Sequence, residues 1–116
     1  MQIIFGDHVE IVRDRFTVLE LDTIRFEGST NSMKVWCALE NIPLQDIPLI
    51  ETLSKIHHDL MDQYRQRNWN FCQRALEQLR GRWGGEVDSF YDDLAKRVEG
   101  YLQEAPPPDW NGEVVK

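Results

Sequence analysis

The chain changes from alternating to helical hydrophobic spacing near residue 41. Before that point, apolar and polar residues alternate over residues 16–26 and again over 33–39, with a cluster of turn-forming residues between the two runs. Alternation with a period of two is typical of a strand that buries one face, and a glycine-containing turn joins neighbouring strands. The pattern predicts a β-hairpin, preceded by a short apolar run at residues 3–5 and a short helix over 7–13.

Three amphipathic helices are predicted after a proline-containing linker that ends at Pro48. Their apolar residues recur at steps of three and four, the spacing that places side chains on one helix face. The three stripes are Leu49, Leu53, Ile56, Leu60 and Tyr64; Trp69, Cys72, Leu76, Leu79 and Trp83; and Val87, Phe90, Leu94, Val98 and Tyr101. The connections are short, which favours near-antiparallel neighbours, and the prolines at 106–108 end the helical region.

These patterns predict an α+β fold: a small antiparallel β-hairpin with a short helix, followed by a three-helix tail. The predicted divisions are a strand–helix–hairpin unit at residues 1–41, a helical tail at 42–104 and a proline-rich carboxy-terminal tail at 105–116. An isolated hairpin is marginally stable in water, and its free edges and apolar face need a cover. The chain's own helices, a second copy or a separate subunit would supply it.

Composition narrows the class of partner. The 116 residues include 13 Lys and Arg against 20 Asp and Glu, a net charge of −7. This acidity argues against binding a nucleic-acid backbone or an anionic membrane surface, and no apolar run is long enough for membrane insertion. Cys37 and Cys72 do not make a disulfide framework, which predicts a cytoplasmic protein.

Candidate chemistry along the chain is sparse. His58 and Asp62 are four residues apart on a predicted helix, as are Asp88 and Asp92, a spacing that places two side chains on one face. A zinc site needs further convergent ligands, and neither cysteine lies at a ligand-like spacing from these groups. Solvated helix faces account for both pairs, so no catalytic, cofactor-binding or metal-binding residue is predicted in this chain.

Three stretches of the chain, taken in order, carry a family resemblance. The first stretch consists of residues 2–5 (QIIF), 14–16 (DRF), 19–28 (LELDTIRFEG) and 33–36 (MKVW). The second stretch consists of residues 64–69 (YRQRNW) and a following Ala-Leu pair at 75–76. The third consists of residues 106–112 (PPPDWNG). Together they resemble the carboxy-terminal region of a bacterial class III adenylate/guanylate cyclase: the end of the cyclase domain, then a tetratricopeptide-like helical tail with its Pro-Asp-Trp-Gly-like ending.

The resemblance implies descent from a cyclase, while the residues present argue against cyclase activity in this chain. In the family, two metal-binding aspartates and the asparagine and arginine that stabilise the transition state precede the strand matched at residues 3–5. The family's lysines around the hairpin glycine are also missing, since Glu27 precedes Gly28 and Ser29 follows it. A divalent metal ion is therefore expected only in a parent cyclase, and no cofactor is expected here.

The predicted function is a non-catalytic interaction or dimerisation module, which self-associates or binds a cyclase catalytic domain. The alternative is a fragment of an adenylate cyclase that converts ATP to cyclic AMP and pyrophosphate, with its catalytic residues upstream. A small-molecule-binding module ranks last, because aromatic residues at helical spacing mostly form a core. Structural or partner-docking roles are predicted for Tyr64, Trp69, Trp83 and Trp110, with Trp69 anchoring the first two helices and Trp110 packing back onto them.

Overall fold

A four-stranded sheet and three long helices build the protein. The computed structural model describes residues 1–116. In chain order the elements are β1 (Gln2–Phe5), α1 (Val9–Val12), β2 (Thr17–Arg25), β3 (Ser32–Leu39), α2 (Ile50–Arg65), α3 (Trp69–Leu79), α4 (Asp88–Gln103) and β4 (Glu113–Val115). The predicted α+β class, with a hairpin and short helix followed by three helices, is confirmed. None of the helices has both the length and the apolar run that a membrane span requires.

The strands lie in the order β1-β3-β2-β4. β3 pairs antiparallel with both β1 and β2, so that Ile3 and Leu19 lie on either side of Cys37. An irregularity in the pairing between Glu20 and Thr23 shifts the register of β2. β4 pairs parallel with the end of β2, on the side away from β3. The first and last segments of the chain therefore belong to one sheet.

One face of the sheet packs against the helices. Strand alternation places Leu19, Val35, Cys37 and Leu39 on this face, and all four are buried in a single core. The helix side chains of that core include Leu53, Leu60, Tyr64, Cys72, Leu76, Leu79, Phe90, Leu94 and Val98. The chain's own helices thus supply the cover that the apolar face of the hairpin needs.

The structure corrects the sequence prediction at three places. α3 ends at Leu79, so Trp83 lies beyond the helix, in a short 3₁₀ turn where its φ is +58°. The predicted linker contains a second 3₁₀ turn at Leu44–Leu49. The carboxy-terminal tail ends in β4, whose three residues are too few to show a strand period and are ordered by pairing with β2.

Candidate functional site

The outer side of β1 is an edge of the sheet with no strand beyond it. Ile3 and Phe5 lie opposite Cys37 and Val35, on the face that the helices cover elsewhere. Even so, 47% of Ile3 and 50% of Phe5 is exposed, so the helical layer stops short of this strand. Ile11 in α1 is 74% exposed. We call the strand Gln2–Phe5 together with Ile11 the open edge.

An apolar groove of about 360 Å³ runs along the open edge. It is lined by β1 and by three side chains of the following turn and helix, His8, Ile11 and Val12. β1 itself carries no charged side chain. Unpaired backbone N–H and C=O groups beside exposed apolar side chains are the two features that binding of an additional strand requires.

The chain closes part of the opposite side of the sheet by itself. β4 pairs with residues 23–25 of β2, and the amide of Glu27 donates to the carbonyl oxygen of Lys116 at 2.7 Å. Farther back along β2, the carbonyl oxygen of Glu20 accepts a hydrogen bond from Nε2 of His57 on α2. Residues 20 and 23–25 of β2 thus bond to the chain's own groups on this side, whereas no strand lies outside β1.

Ion pairs fix β2 to the helices. Asp22 accepts two hydrogen bonds from the guanidinium of Arg97 on α4, at 2.8 and 3.1 Å. These bonds raise the pKa of Arg97, while its partial burial acts in the opposite direction. Glu20 pairs with Arg65 of α2 and, at 3.1 Å, with Lys34 of β3. Both carboxylates of β2 thus pair with arginines of the helices and connect the sheet to the helical layer.

A buried hydrogen-bonded chain connects three elements behind β2. Nε1 of Trp83 donates to Oη of Tyr91 at 3.2 Å, and Oη of Tyr91 donates to Nδ1 of His57 at 2.9 Å. Because Nε2 of His57 donates to Glu20, the network is complete only when the imidazole is neutral. Burial, with a smaller contribution from His58, lowers the pKa of His57 from 6.5 to about 4. The sequence prediction assigns no role to His57, which links Tyr91 to β2 in this network.

The free energy of unfolding should therefore decrease as the pH is lowered from 6.5 to about 4. The unfolded chain binds a proton at His57 in this range and the folded chain does not, so acidification favours unfolding by up to about 1.4 kcal/mol per pH unit. Chemical denaturation at several pH values measures the slope. His57→Gln should flatten it, whereas His58→Gln, the exposed neighbour, should keep it. Equal slopes in the two variants would contradict this assignment.

Four aromatic side chains meet where α2 and α4 end and α3 begins. This aromatic cluster consists of Tyr64, Trp69, Tyr101 and Trp110. Trp69 stacks on Tyr101 with ring centroids 5.1 Å apart, and Trp110 meets Tyr64 edge-on at 5.2 Å. Trp110 packs back onto the helices as predicted. Trp69 contacts α4 and the tail as well as α2, while Trp83 lies in the separate network around Tyr91.

Arg67 holds the tail against the aromatic cluster. Its Nη1 donates to the carbonyl oxygen of Pro106 at 3.3 Å, and its Nη2 lies 2.7 to 3.3 Å from those of Pro107, Pro108 and Trp110. The guanidinium also lies 5.4 Å from the centre of the Trp110 ring. The aromatic groups and the neighbouring cation are thus engaged with one another, which gives them a structural role.

The carboxylates considered for chemistry are engaged separately. Asp88 accepts a hydrogen bond from the amide of Gly81 at 2.9 Å, and Asp92 pairs with Arg80 at 3.1 Å. Asp62 accepts a hydrogen bond at 3.1 Å from the side-chain amide of Gln66, the residue that follows α2. No three His, Cys, Asp or Glu side chains lie close enough together to hold a metal ion.

Comparison with known proteins adds no relative. No family model, no curated protein and no solved structure matches this chain. The open edge is the feature of the molecule on which the inference of a function rests.

Proposed function

We propose that this protein is a non-catalytic interaction module, resembling the carboxy-terminal part of a class III nucleotide cyclase, which binds another polypeptide at its open edge. The observation that carries the proposal is the unpaired outer side of β1, flanked by half-exposed Ile3 and Phe5. In strand addition, main-chain hydrogen bonds provide affinity and side-chain grooves provide specificity. The outer side of β1 offers the main-chain groups, and the groove beside it offers the side-chain contacts.

The size of the open edge sets the expected affinity. Covering the exposed parts of Ile3, Phe5 and Ile11 removes roughly 300 Å² of apolar surface, worth about 7 kcal/mol. New main-chain hydrogen bonds add about 1 kcal/mol each, and association costs roughly 4–15 kcal/mol in lost freedom. Against the low end of that cost, the balance corresponds to weak binding, with a dissociation constant of about 10 μM at the tightest for a partner that adds only one strand.

Ile3→Lys should abolish association at the open edge. A charged side chain on an edge strand opposes pairing, and since Ile3 is already half-exposed the fold itself should persist. Sedimentation velocity up to high micromolar concentration measures the effect: the unmodified protein should shift toward dimer and the variant should not. Leu102→Lys is the matched control, because Leu102 on α4 is 45% exposed and lies outside the open edge. A dimer that both variants retain, or that both lose, would contradict the proposal.

The same open edge favours one alternative function. In a fragment of an adenylate cyclase, the outer side of β1 would contact a catalytic domain that supplies the metal-binding and transition-state residues. The purified chain should then neither bind nor turn over ATP with a divalent ion. Formation of cyclic AMP and pyrophosphate by this chain would overturn the non-catalytic assignment.

A further inference from the structure

Resting on the proposed function, we infer that the occupant of the open edge is a second copy of this chain, paired antiparallel through β1 with Ile4 facing Ile4. The two four-stranded sheets then form one continuous sheet of eight strands. Closed two-fold dimers are the commonest protein assemblies, and their interfaces are self-complementary. β1 satisfies that condition in a single register.

The register follows from which residues share a face. A two-fold axis perpendicular to the sheet keeps both helical layers on the same side, so residues pair only with residues of their own face. Centring the pair on Ile4 places Ile3 of each copy opposite Phe5 of the other. Centring it on Ile3 would set Phe5 opposite Met1, and centring it on Phe5 would set Ile3 opposite Asp7. Only the first arrangement joins the two exposed side chains of β1 twice.

The distribution of charge allows a second copy to approach the open edge. The whole chain carries a net charge of −7, which opposes self-association over most of its surface. β1 has no charged side chain, and the first 15 residues contain two arginines against three acidic residues. Two copies therefore meet at the open edge with little repulsion. The interface is smaller than the roughly 800 Å² per partner of a standard complex, which implies a reversible dimer.

Cysteine cross-linking tests this register in the full chain. The background is low, because Cys37 and Cys72 are fully buried and burial raises the pKa of both thiols to about 11. Directly opposed residues of an antiparallel pair have Cβ atoms roughly 5 Å apart, within reach of a disulfide after small adjustments. Under copper-catalysed oxidation by dissolved oxygen, Ile4→Cys should form covalent dimers about tenfold faster than Leu102→Cys, since opposed thiols have a raised effective concentration.

A second pairing provides an independent reading if Ile4→Cys does not fold. A mixture of Ile3→Cys and Phe5→Cys chains should give a covalent heterodimer, while Ile3→Cys alone should cross-link no faster than the Leu102→Cys control. Rapid cross-linking of Ile3→Cys alone would overturn the register. A dimer that Ile3→Lys dissociates but that none of these variants cross-links would overturn antiparallel β1 pairing and leave the proposed function standing. A dimer whose sedimentation no β1 substitution changes would contradict the proposed function itself, whereas a chain that stays monomeric at high micromolar concentration would overturn the second copy alone.

Discussion

Deleting residues 106–116 is expected to lower the melting midpoint by roughly 10–15 °C, a loss of about 3 kcal/mol. The deletion removes Trp110 from the aromatic cluster and the four carbonyl groups that bind Arg67. It also removes β4 and its pairing with β2. Part of the lost contact energy is offset because the tail no longer has to be ordered, so the net effect is smaller than the number of contacts suggests. Thermal unfolding followed by circular dichroism measures it.

Single substitutions separate the parts of this effect. Trp110→Ala in the full chain should account for most of it, about 2–3 kcal/mol, because the half-buried indole contacts three other rings. Asp109→Ala is the matched control, since Asp109 is exposed and makes no side-chain hydrogen bond or ion pair. An unchanged melting midpoint in the truncated protein would show that the tail is not held by these contacts.

The tail also decides which edge of the sheet is available. With β4 in place, residues 23–25 of β2 are covered, and the edge that lies beside an apolar groove is the outer side of β1. Removing the tail exposes backbone groups of β2 as a second site for pairing. We therefore expect the truncated protein to form larger assemblies than a dimer, in addition to being less stable. The tail and the open edge are thus connected parts of one arrangement.

The hairpin and the three helices are predictable because their periods are carried by residues close together in the sequence. Alternation over 16–26 and 33–39 corresponds to β2 and β3, and the three stripes correspond to α2, α3 and α4. β4 depends instead on β2, 90 positions away, and the Arg67 contacts on residues 40 positions away, which no local pattern records. Trp83 fits the stripe of the second helix by spacing, yet the chain leaves the helix before reaching it.

The candidate site, too, is predictable from the sequence only in part. The run at 3–5 is apolar and precedes the hairpin, so an edge strand in need of cover is predictable from the sequence; how little of it the helices cover is not. Tyr64, Trp69 and Trp110 are recognisable as important, but only the structure shows that they are occupied with one another. A partner-docking role for them remains a prediction. His57 was detectable, since it follows Leu53 by four residues on the buried face of α2.

Trp83→Ala is expected to cost about 3–5 kcal/mol, the range for truncating a fully buried aromatic side chain. Trp83 has no exposed surface, and its indole donates to Tyr91 within the core. Its backbone is held in the left-handed region by Asp46, whose Oδ2 accepts from the Trp83 amide at 3.2 Å while Oδ1 accepts from Arg82 at 3.0 Å. The site therefore has little freedom to collapse around the cavity. Trp69→Ala should cost less, because Trp69 is only partly buried.

Trp83→Phe distinguishes packing from hydrogen bonding at this position. Phenylalanine keeps most of the buried ring but removes the Nε1–H donor, so its cost should be about 1–2 kcal/mol, the loss of one buried hydrogen bond. Urea denaturation of the two variants provides the comparison, with an unchanged m-value as the sign that the folded state is retained. A loss in Trp83→Phe as large as that in Trp83→Ala would mean that the bond to Tyr91, and through it the position of His57, matters more than the volume of the indole. A small loss in both would mean that the turn at residues 83–85 is free to move, which the contacts of Asp46 oppose.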